Sequence, residues 1–237
     1  MSGKAKTDIT IVVASYHYGH LAAHCLESIR SQTAAPYEIL FVDDAAGDCF
    51  FLEERYPEVK FTFRKKNLGI VENFNDMLNK VKSSKCLFLG ADNWLRSDAL
   101  ELLSKDDADI VTYDIILTGD LKEDRLIHHR HEMQNHHGDF YWSRDHQHHG
   151  SMVYNVALAK SVGGYIRNSE SKQTEEDRVL WHRMTDAGAS VKYLNEGLLY
   201  YRTHRENFNS YKIKQPSKIQ QFISRVKNKI LRIIKGR

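Results

Sequence analysis

Acidic residues follow two hydrophobic runs in the first half of the chain and could bind a ligand or a metal ion. Asp43-Asp44 follows the run at residues 39–42, and Asp92 follows the run at residues 86–89. In an open parallel sheet, ligands bind at the carboxyl ends of the strands, so we expect these carboxylates at one edge. Asp92 could hold Mg²⁺ or Mn²⁺, which prefer oxygen ligands and keep positions open for phosphate oxygens. One carboxylate of Asp43-Asp44 could accept hydrogen bonds from a base edge or a ribose hydroxyl. A turn or helix cap would also explain Asp92, and a turn would explain Asp44.

Asp177 is the acid in the second half that is best suited to proton transfer. It shares a predicted helical face with Leu180, Trp181 and Met184. A carboxylate beside an apolar face loses solvation, which raises its pKa and suits a general base, although the helix dipole acts in the opposite direction. Glu176 is rotated by about 100° from Asp177 and is expected to face solvent or bind substrate. Acidic residues are also ordinary in the first turn of a helix.

Aromatic and imidazole side chains follow two further hydrophobic runs. Tyr16 could stack on a nucleotide base, or pack on its own helix. His204 could complete a metal site, although a lone histidine is often structural. Eight histidines between residues 128 and 149 lack the paired spacing of a zinc site, so we expect an irregular loop there, on the acceptor side.

The hydrophobic pattern predicts the elements that position these residues. Short β-branched runs predict buried strands that alternate with amphipathic helices, which is typical of a right-handed βαβ sheet. The predicted strands lie at residues 9–14, 37–42, 59–63, 85–89, 109–117, 191–194 and 198–202. The predicted helices include residues 21–29, 71–81, 157–161, 174–187 and 216–234.

Charge is distributed unevenly along the 237 residues, whose net charge is +3. No acidic residue follows Glu206, whereas nine lysines and arginines do, which leaves a mildly acidic body. Residues 216–237 predict a basic amphipathic helix that an anionic membrane surface would attract. A helix docked on the body and a nucleic-acid patch remain alternatives. The three scattered cysteines and the lack of a long apolar run predict a cytoplasmic protein, which the basic helix would hold at the inner face of the membrane.

Six motifs in a fixed order resemble those of the family 2 glycosyltransferases. They lie at residues 9–17 (ITIVVASYH), 26–33 (LESIRSQT), 38–44 (EILFVDD), 67–75 (NLGIVENFN), 87–95 (LFLGADNWL) and 163–183. The resemblance implies the GT-A fold, which is an α/β fold with a Rossmann-like, doubly wound, mostly parallel sheet flanked by helices. It implies one domain at residues 1–215, with a nucleotide-binding half (8–95) and an acceptor-binding half (96–215), before the helix at 216–237.

The resemblance also implies roles for the matching residues. The nucleotide-sugar donor would contact Ser15, Tyr16, Asp43, Asp44, Asn67, Gly69, Asn75, Ala91 and Asp92. Asp92 and His204 would hold Mn²⁺ or Mg²⁺ on the diphosphate, and Asp177 would be the catalytic base. Glu176 and Trp181 would lie on the acceptor side.

Four positions depart from the pattern of the family. Ala14 replaces a usual Thr or Pro, His17 replaces Asn, and Phe74 stands where the family often has Arg. Gly90 replaces the first Asp of the Asp-x-Asp motif. The remaining carboxylate, Asp92, corresponds to the direct metal ligand, so we expect activity with weaker metal affinity.

The resemblance implies an inverting, metal-dependent glycosyltransferase. It would move a sugar from a nucleotide-diphosphate donor, of UDP type, to a hydroxyl of a saccharide or lipid-linked acceptor, in cell-surface polysaccharide or glycolipid synthesis. A nucleotidyltransferase would usually show a glycine-rich basic loop after the first strand, and residues 15–20 offer none. Gly90 favours a second alternative, a non-catalytic nucleotide-sugar binding module. The acidic body argues against a nucleic-acid binder.

Overall fold

The computed structural model describes residues 4–119, 123–127, 150–169 and 175–204. The chain divides into two compact units, residues 1–202 and residues 203–237. Thr203 and His204 are the only described residues of the second unit. The histidine-rich segment 128–149 and the predicted helix 216–237 therefore lie outside the described residues. Among the described helices, none has the length and apolar character needed to cross a bilayer.

Four parallel strands form the first half of the sheet, in the order β3-β2-β1-β4. They are β1 (Ile9–Ser15), β2 (Ile39–Asp43), β3 (Val59–Phe63) and β4 (Lys85–Gly90), joined by α1 (Gly19–Arg30), α2 (Phe51–Arg55) and α3 (Ile70–Lys80). The central strands are apolar along their length because helices cover both faces of a parallel sheet. All four strands follow the predicted runs closely.

The second half adds strands of both directions. Its elements are β5 (Trp94–Leu95), α4 (Ala99–Leu103), β6 (Ile110–Gly119), β7 (Arg125–Ile127), β8 (Val153–Asn155), α5 (Val156–Ser161), α6 (Glu176–Asp186) and β9 (Val191–Thr203). Across the described residues, one sheet runs in the order β3-β2-β1-β4-β8-β6-β9-β5, with β7 on β6. Strand β8 is antiparallel to β4. The predicted α/β class is confirmed, with a parallel half and a mixed half.

The two strands predicted at residues 191–194 and 198–202 are wrong in one respect, because they form the single strand β9. Gly197 lies between them and does not break the strand. A Cβ at Gly197 would come within 2.9 Å of side-chain atoms of both Ile116 and Leu126. The glycine therefore makes room for two apolar side chains rather than marking a turn.

A hydrophobic core lies between the sheet and helices α3, α5 and α6. Phe88 and Tyr154 on the sheet pack with Tyr165, and Trp181 and Met184 of α6 belong to the same cluster. These contacts fix α6, which carries Asp177, against the strands that carry the other predicted site residues.

Candidate active site

Strand register brings the carboxyl ends of β1, β2 and β4 level with one another. Ser15 pairs with Asp43 across β1 and β2, and Ala14 pairs with Gly90 across β1 and β4. The loops that follow these three strands therefore begin at one edge of the sheet. The structure thus brings the three predicted motifs of the first half together.

Asp43 and Asp44 each brace a loop at this edge, and both side chains are buried. The carboxylate of Asp43 accepts hydrogen bonds from the backbone N–H groups of Ala46 (2.8 Å) and Gly47 (2.9 Å). The carboxylate of Asp44 accepts from the N–H groups of Leu68 (3.0 Å) and Gly69 (3.1 Å). A carboxylate has about four acceptor positions, so these bonds leave room for a ligand donor. Contacts of both residues with a nucleotide stay predictions.

Asn67 and Gly69 shape the entry into α3. The side-chain amide of Asn67 donates to the Asp44 carbonyl oxygen (3.1 Å), and its oxygen accepts from Gly69 N–H (2.9 Å). Gly69 has a φ of +79°, a conformation that favours glycine. The motif therefore links the end of β2 to the start of α3.

Asn75 joins α3 to the chain before α6. Its amide nitrogen donates to the carbonyl oxygen of Tyr165, and its oxygen accepts from the Tyr165 N–H, both at 2.8 Å. Gly164 allows this approach, because a Cβ there would lie 2.4 Å from the Asn75 oxygen. Asn75 thus supports the site, and a direct contact with the donor stays a prediction.

Asp92 lies in a tight turn between β4 and β5 and is 6% exposed. The Ala91 N–H donates to the Ala14 carbonyl (2.9 Å), and the Asn93 N–H donates to the Gly90 carbonyl (3.0 Å). Burial, together with the charge of Asp92, raises the pKa of the Cys25 thiol well above its usual range. Cys25 is therefore a protonated core residue near Asp92.

The chemistry of Asp92 fits a divalent ion that is shared with phosphate. Mg²⁺ is commonly bound through one or two carboxylates together with substrate phosphates, and it does not need a complete protein cage. The carboxylate of Asp92 supplies one buried oxygen ligand at the edge of the sheet where the strands end. Asp92 is therefore compatible with the predicted Mn²⁺ or Mg²⁺.

Asp43, Asp48 and Cys49 form a separate cluster, with ligand-type atoms within 4.8 Å of one another. One Asp48 oxygen accepts from the Gly19 N–H at 3.0 Å. Burial is the main cause that raises the pKa of Cys49 to about 12, so the thiol stays protonated at neutral pH. The carboxylates of Asp43 and Asp48 accept backbone hydrogen bonds from Ala46, Gly47 and Gly19, so they connect the loop after β2 to itself and to the start of α1.

Helix α6 places Asp177 and Glu176 differently from the sequence prediction. Glu176 is buried, with 6% exposure, so the prediction that it faces solvent is wrong, whereas the alternative, contact with substrate, stays a prediction. Asp177 is half-buried. Trp181 lies in the core, as its helical face predicts, so its contact with an acceptor stays a prediction. Both acids are close enough to Tyr165 to help burial raise its pKa.

Gly150 approaches Asp177 closely, and sequence reasoning missed this contact. A Cβ at Gly150 would lie 2.7 Å from Asp177 Oδ2, and the φ of Gly150 is +69°. Because β8 is antiparallel to β4, with Val153 opposite Leu87, the residues before Val153 run toward the carboxyl end of β4. Gly150, which precedes Val153, therefore lies toward the edge of the sheet that holds Asp92, and so does Asp177 beside it.

Strained backbone occurs in the loops of this region. Among the described residues, the non-glycine residues with positive φ are His17 (65°), Ala45 (70°) and Glu175 (44°). They follow β1, follow Asp44 and precede α6, respectively. Such strain persists where the surrounding structure requires it, and it is concentrated at functional sites. His17 is a tolerable choice because histidine and asparagine are enriched in this conformation.

Tyr16 and His204 lie at the ends of strands, as predicted. Tyr16 is 48% exposed after β1, so its ring is accessible to a ligand. His204 follows β9 and belongs to the second unit, so its part in a metal site stays a prediction. Arg202 was missed, although its side chain contacts the turn of Asp92. Nothing local in the sequence pairs residues that are 110 positions apart.

Comparison with known proteins gives consistent matches. The family described as "Glycosyl transferase family 2" matches residues 10–163. Glycosyltransferase GlyA of Streptococcus pneumoniae is 28% identical over 102 residues, which cover 41% of this chain and 14% of GlyA. The uncharacterized glycosyltransferase YwdF of Bacillus subtilis is 27% identical over 117 residues, covering 45% of this chain and 44% of YwdF. The chain thus spans less than half the length of these curated relatives.

A solved structure resembles the fold over most of the chain. S. aureus TarS 1–349, in complex with UDP-GlcNAc, matches with a TM-score of 0.65 and 14% identity. The match covers 84% of this chain and 59% of that one. At this level of identity the likeness concerns the fold.

Proposed function

Because the chain belongs to glycosyl transferase family 2, we propose that it transfers a sugar from a nucleotide-diphosphate donor, of UDP type, to an acceptor hydroxyl. The observation that carries the proposal is that the carboxyl ends of β1, β2 and β4 lie level with one another. Asp44 and Asp92 lie at these ends, in turns that backbone hydrogen bonds hold in place. The likeness to TarS, which was solved with UDP-GlcNAc, supports the GT-A fold and a UDP-type donor.

In the proposed reaction, Asp177 removes the proton of the acceptor hydroxyl while the oxygen of that hydroxyl attacks the anomeric carbon of the donor sugar. A single in-line displacement inverts that carbon, and the diphosphate leaves on the opposite side. Asp92 would hold a divalent ion, which supplies Lewis-acid stabilisation of the charge on the leaving group. The half-buried position of Asp177 on α6, which the core fixes, favours a defined orientation of the base.

Donor binding is tested by thermal shift with nucleoside diphosphates, with and without Mn²⁺. A ligand that binds the native state raises the melting temperature. We expect UDP with Mn²⁺ to give the largest shift. A protein that no nucleoside diphosphate stabilises would contradict the proposal.

The catalytic base is tested by Asp177→Asn, with Asp186→Asn as the matched control. Asp186 is exposed at the other end of the same helix, so its change removes the same charge away from the proposed site. We expect Asp177→Asn to keep donor binding and lose transfer by about 10²-fold or more, and Asp186→Asn to keep both. Full transfer by Asp177→Asn would remove Asp177 from the mechanism.

For the acceptor, we propose a saccharide or lipid-linked hydroxyl, used in cell-surface polysaccharide or glycolipid synthesis. The basic, amphipathic sequence at residues 216–237 would hold the enzyme at the cytoplasmic face of an anionic membrane. Removal of residues 216–237 should abolish sedimentation with vesicles that contain phosphatidylglycerol while transfer in solution remains. Vesicle binding that survives the removal would place the anchor elsewhere.

Gly90 favours one alternative, a nucleotide-sugar binding module without turnover, because it leaves one acid where the family has two. Calorimetry separates the two functions. Donor binding without transfer or hydrolysis across a broad set of acceptors would support the binding module.

A further inference from the structure

Strand β9 holds the turn of Asp92 through Arg202. The side-chain Nε of Arg202 donates to the carbonyl oxygen of Asp92 at 3.0 Å, and the Arg202 backbone N–H donates to Asn93 Oδ1 at 3.0 Å. Side chain and backbone of one residue therefore bind two consecutive residues of the turn. These contacts join segments that are about 110 positions apart.

The guanidinium of Arg202 is itself fixed by two aromatic rings. It lies over the ring of Trp94 with its central carbon 4.6 Å from the centroid, and its Nη2 is 3.0 Å from His24 Nδ1. Arginine has no acceptor, so His24 Nδ1 accepts this hydrogen bond and carries no proton. Partial desolvation of the imidazole and the charge of Arg202 lower the pKa of His24, which favours that neutral form.

The rings extend this arrangement on both sides. The ring of His24 stacks on Trp94 with centroids 4.5 Å apart, and Trp94 stacks on Tyr200 at 5.2 Å with planes 9° apart. Trp94 and Tyr200 are opposite each other in the β5–β9 pair. Helix α1, strand β5 and strand β9 thus meet around one guanidinium. We call Arg202, Trp94 and His24 the Arg202 clamp.

We propose that Arg202 is a positioning residue, which fixes the peptide plane of Asp92 and so holds its carboxylate for the donor diphosphate. The proposal rests on the proposed function, since it concerns the same donor site. It deepens that function in one respect: Gly90 leaves no second acid in the motif, so the orientation of the single carboxylate matters more. Groups that orient a metal ligand typically change metal affinity or activity by about 10- to 100-fold when they are removed.

The planar fork of Arg202 is essential to this role, and its charge alone is not sufficient. Lysine keeps the positive charge but offers one compact ammonium group, which cannot stack flat on Trp94 while binding both Asp92 and His24. Arg202→Lys therefore separates positioning from simple attraction of a phosphate. His24→Leu and His24→Asn form a second pair, because an Asn side-chain oxygen can occupy the position of Nδ1, whereas Leu has no acceptor. His24 is exposed on α1, so both variants should fold.

Two measurements test the clamp. The affinity for UDP with Mn²⁺, measured by calorimetry, should fall by about tenfold in Arg202→Lys and by a few-fold in His24→Leu, while His24→Asn should recover most of it. Hydrogen–deuterium exchange of the Ala91 and Asn93 amides, measured without ligand, should become faster in Arg202→Lys and His24→Leu.

Unchanged exchange at these amides in Arg202→Lys would overturn the proposal, even if UDP binding weakened, because Arg202 would then act on the donor directly. Wild-type affinity in both Arg202→Lys and His24→Leu would overturn it as well. If the wild-type protein bound no nucleoside diphosphate, the proposed function would fail. The exchange measurement would still decide whether Arg202 orders the turn.

Discussion

Adding a methyl group at Gly90 should damage the donor site while leaving the fold intact. A Cβ at Gly90 would lie 2.6 Å from Asp92 Oδ1 and 3.0 Å from Asn93 Nδ2, whereas ordinary contact begins near 3.4 Å. The carboxylate of Asp92 must therefore move by about 0.8 Å. A misplacement of about 1 Å in an active site can cost on the order of 10²-fold in rate. We expect a loss of that size in transfer by Gly90→Ala, with a small change in melting temperature.

Gly188→Ala is the matched control, because the added methyl group strains the backbone there but touches no other residue. A Cβ there meets nothing within 4 Å, but the φ of Gly188 is +88°, so alanine should cost about 1 kcal/mol of stability. Gly188→Ala should lower the melting temperature and keep UDP binding, as measured by calorimetry.

Gly90→Asp extends the test to the lost acid of the motif. The same contact predicts that this substitution weakens donor binding, although it restores the acid that the family usually has. Wild-type transfer by Gly90→Ala, or wild-type or higher UDP affinity in Gly90→Asp, would refute the reasoning.

Three further predictions concern stability. Asn75→Ala leaves the Tyr165 backbone groups without partners and should lower the free energy of unfolding by about 2 kcal/mol, measured in urea; an unchanged midpoint would show that these two hydrogen bonds are unimportant for stability. Ala45→Gly removes a side chain from a φ of +70° and should raise the free energy of unfolding by about 0.5–1 kcal/mol, whereas a loss would show that Ala45 makes a useful contact. The pKa of His24 is lowered from 6.5 in the folded state. The free energy of unfolding should therefore be unaffected by His24 above about pH 6.5 and should decrease below that pH, because the unfolded state binds the proton first. His24→Leu should reduce the dependence of the melting temperature on pH, and an unchanged pH profile would contradict the assignment of this dependence to His24.

The sequence predicted the parallel half of the sheet because short runs of β-branched residues leave few alternatives. Val59–Phe63 matches its prediction at both ends. The motifs at Asp43-Asp44 and Asp92 could also be placed, since residues at the carboxyl ends of parallel strands share one edge. Level register then brings them together.

The support of the site could not be predicted in the same way, because it depends on contacts between distant segments. Helical periodicity gives the angle between Glu176 and Asp177, but it does not show which segments cover the first turn of α6, and Glu176 is buried there. Asn75 belongs to a recognisable motif, yet its partner Tyr165 lies 90 positions away. The contact of Gly150 with Asp177 also depends on how β8 enters the sheet.

The central claim is that Asp92 and Asp177 act on one donor from opposite sides of a single cleft. A crystal structure of the protein with UDP and Mn²⁺ tests it most directly. We predict the uracil beside Asp44, the diphosphate at the ends of β1 and β4 with the ion on Asp92, and Asp177 facing the terminal phosphate across an open cavity. UDP bound at another edge of the sheet, or Asp177 on the far side of the molecule from the diphosphate, would contradict the account.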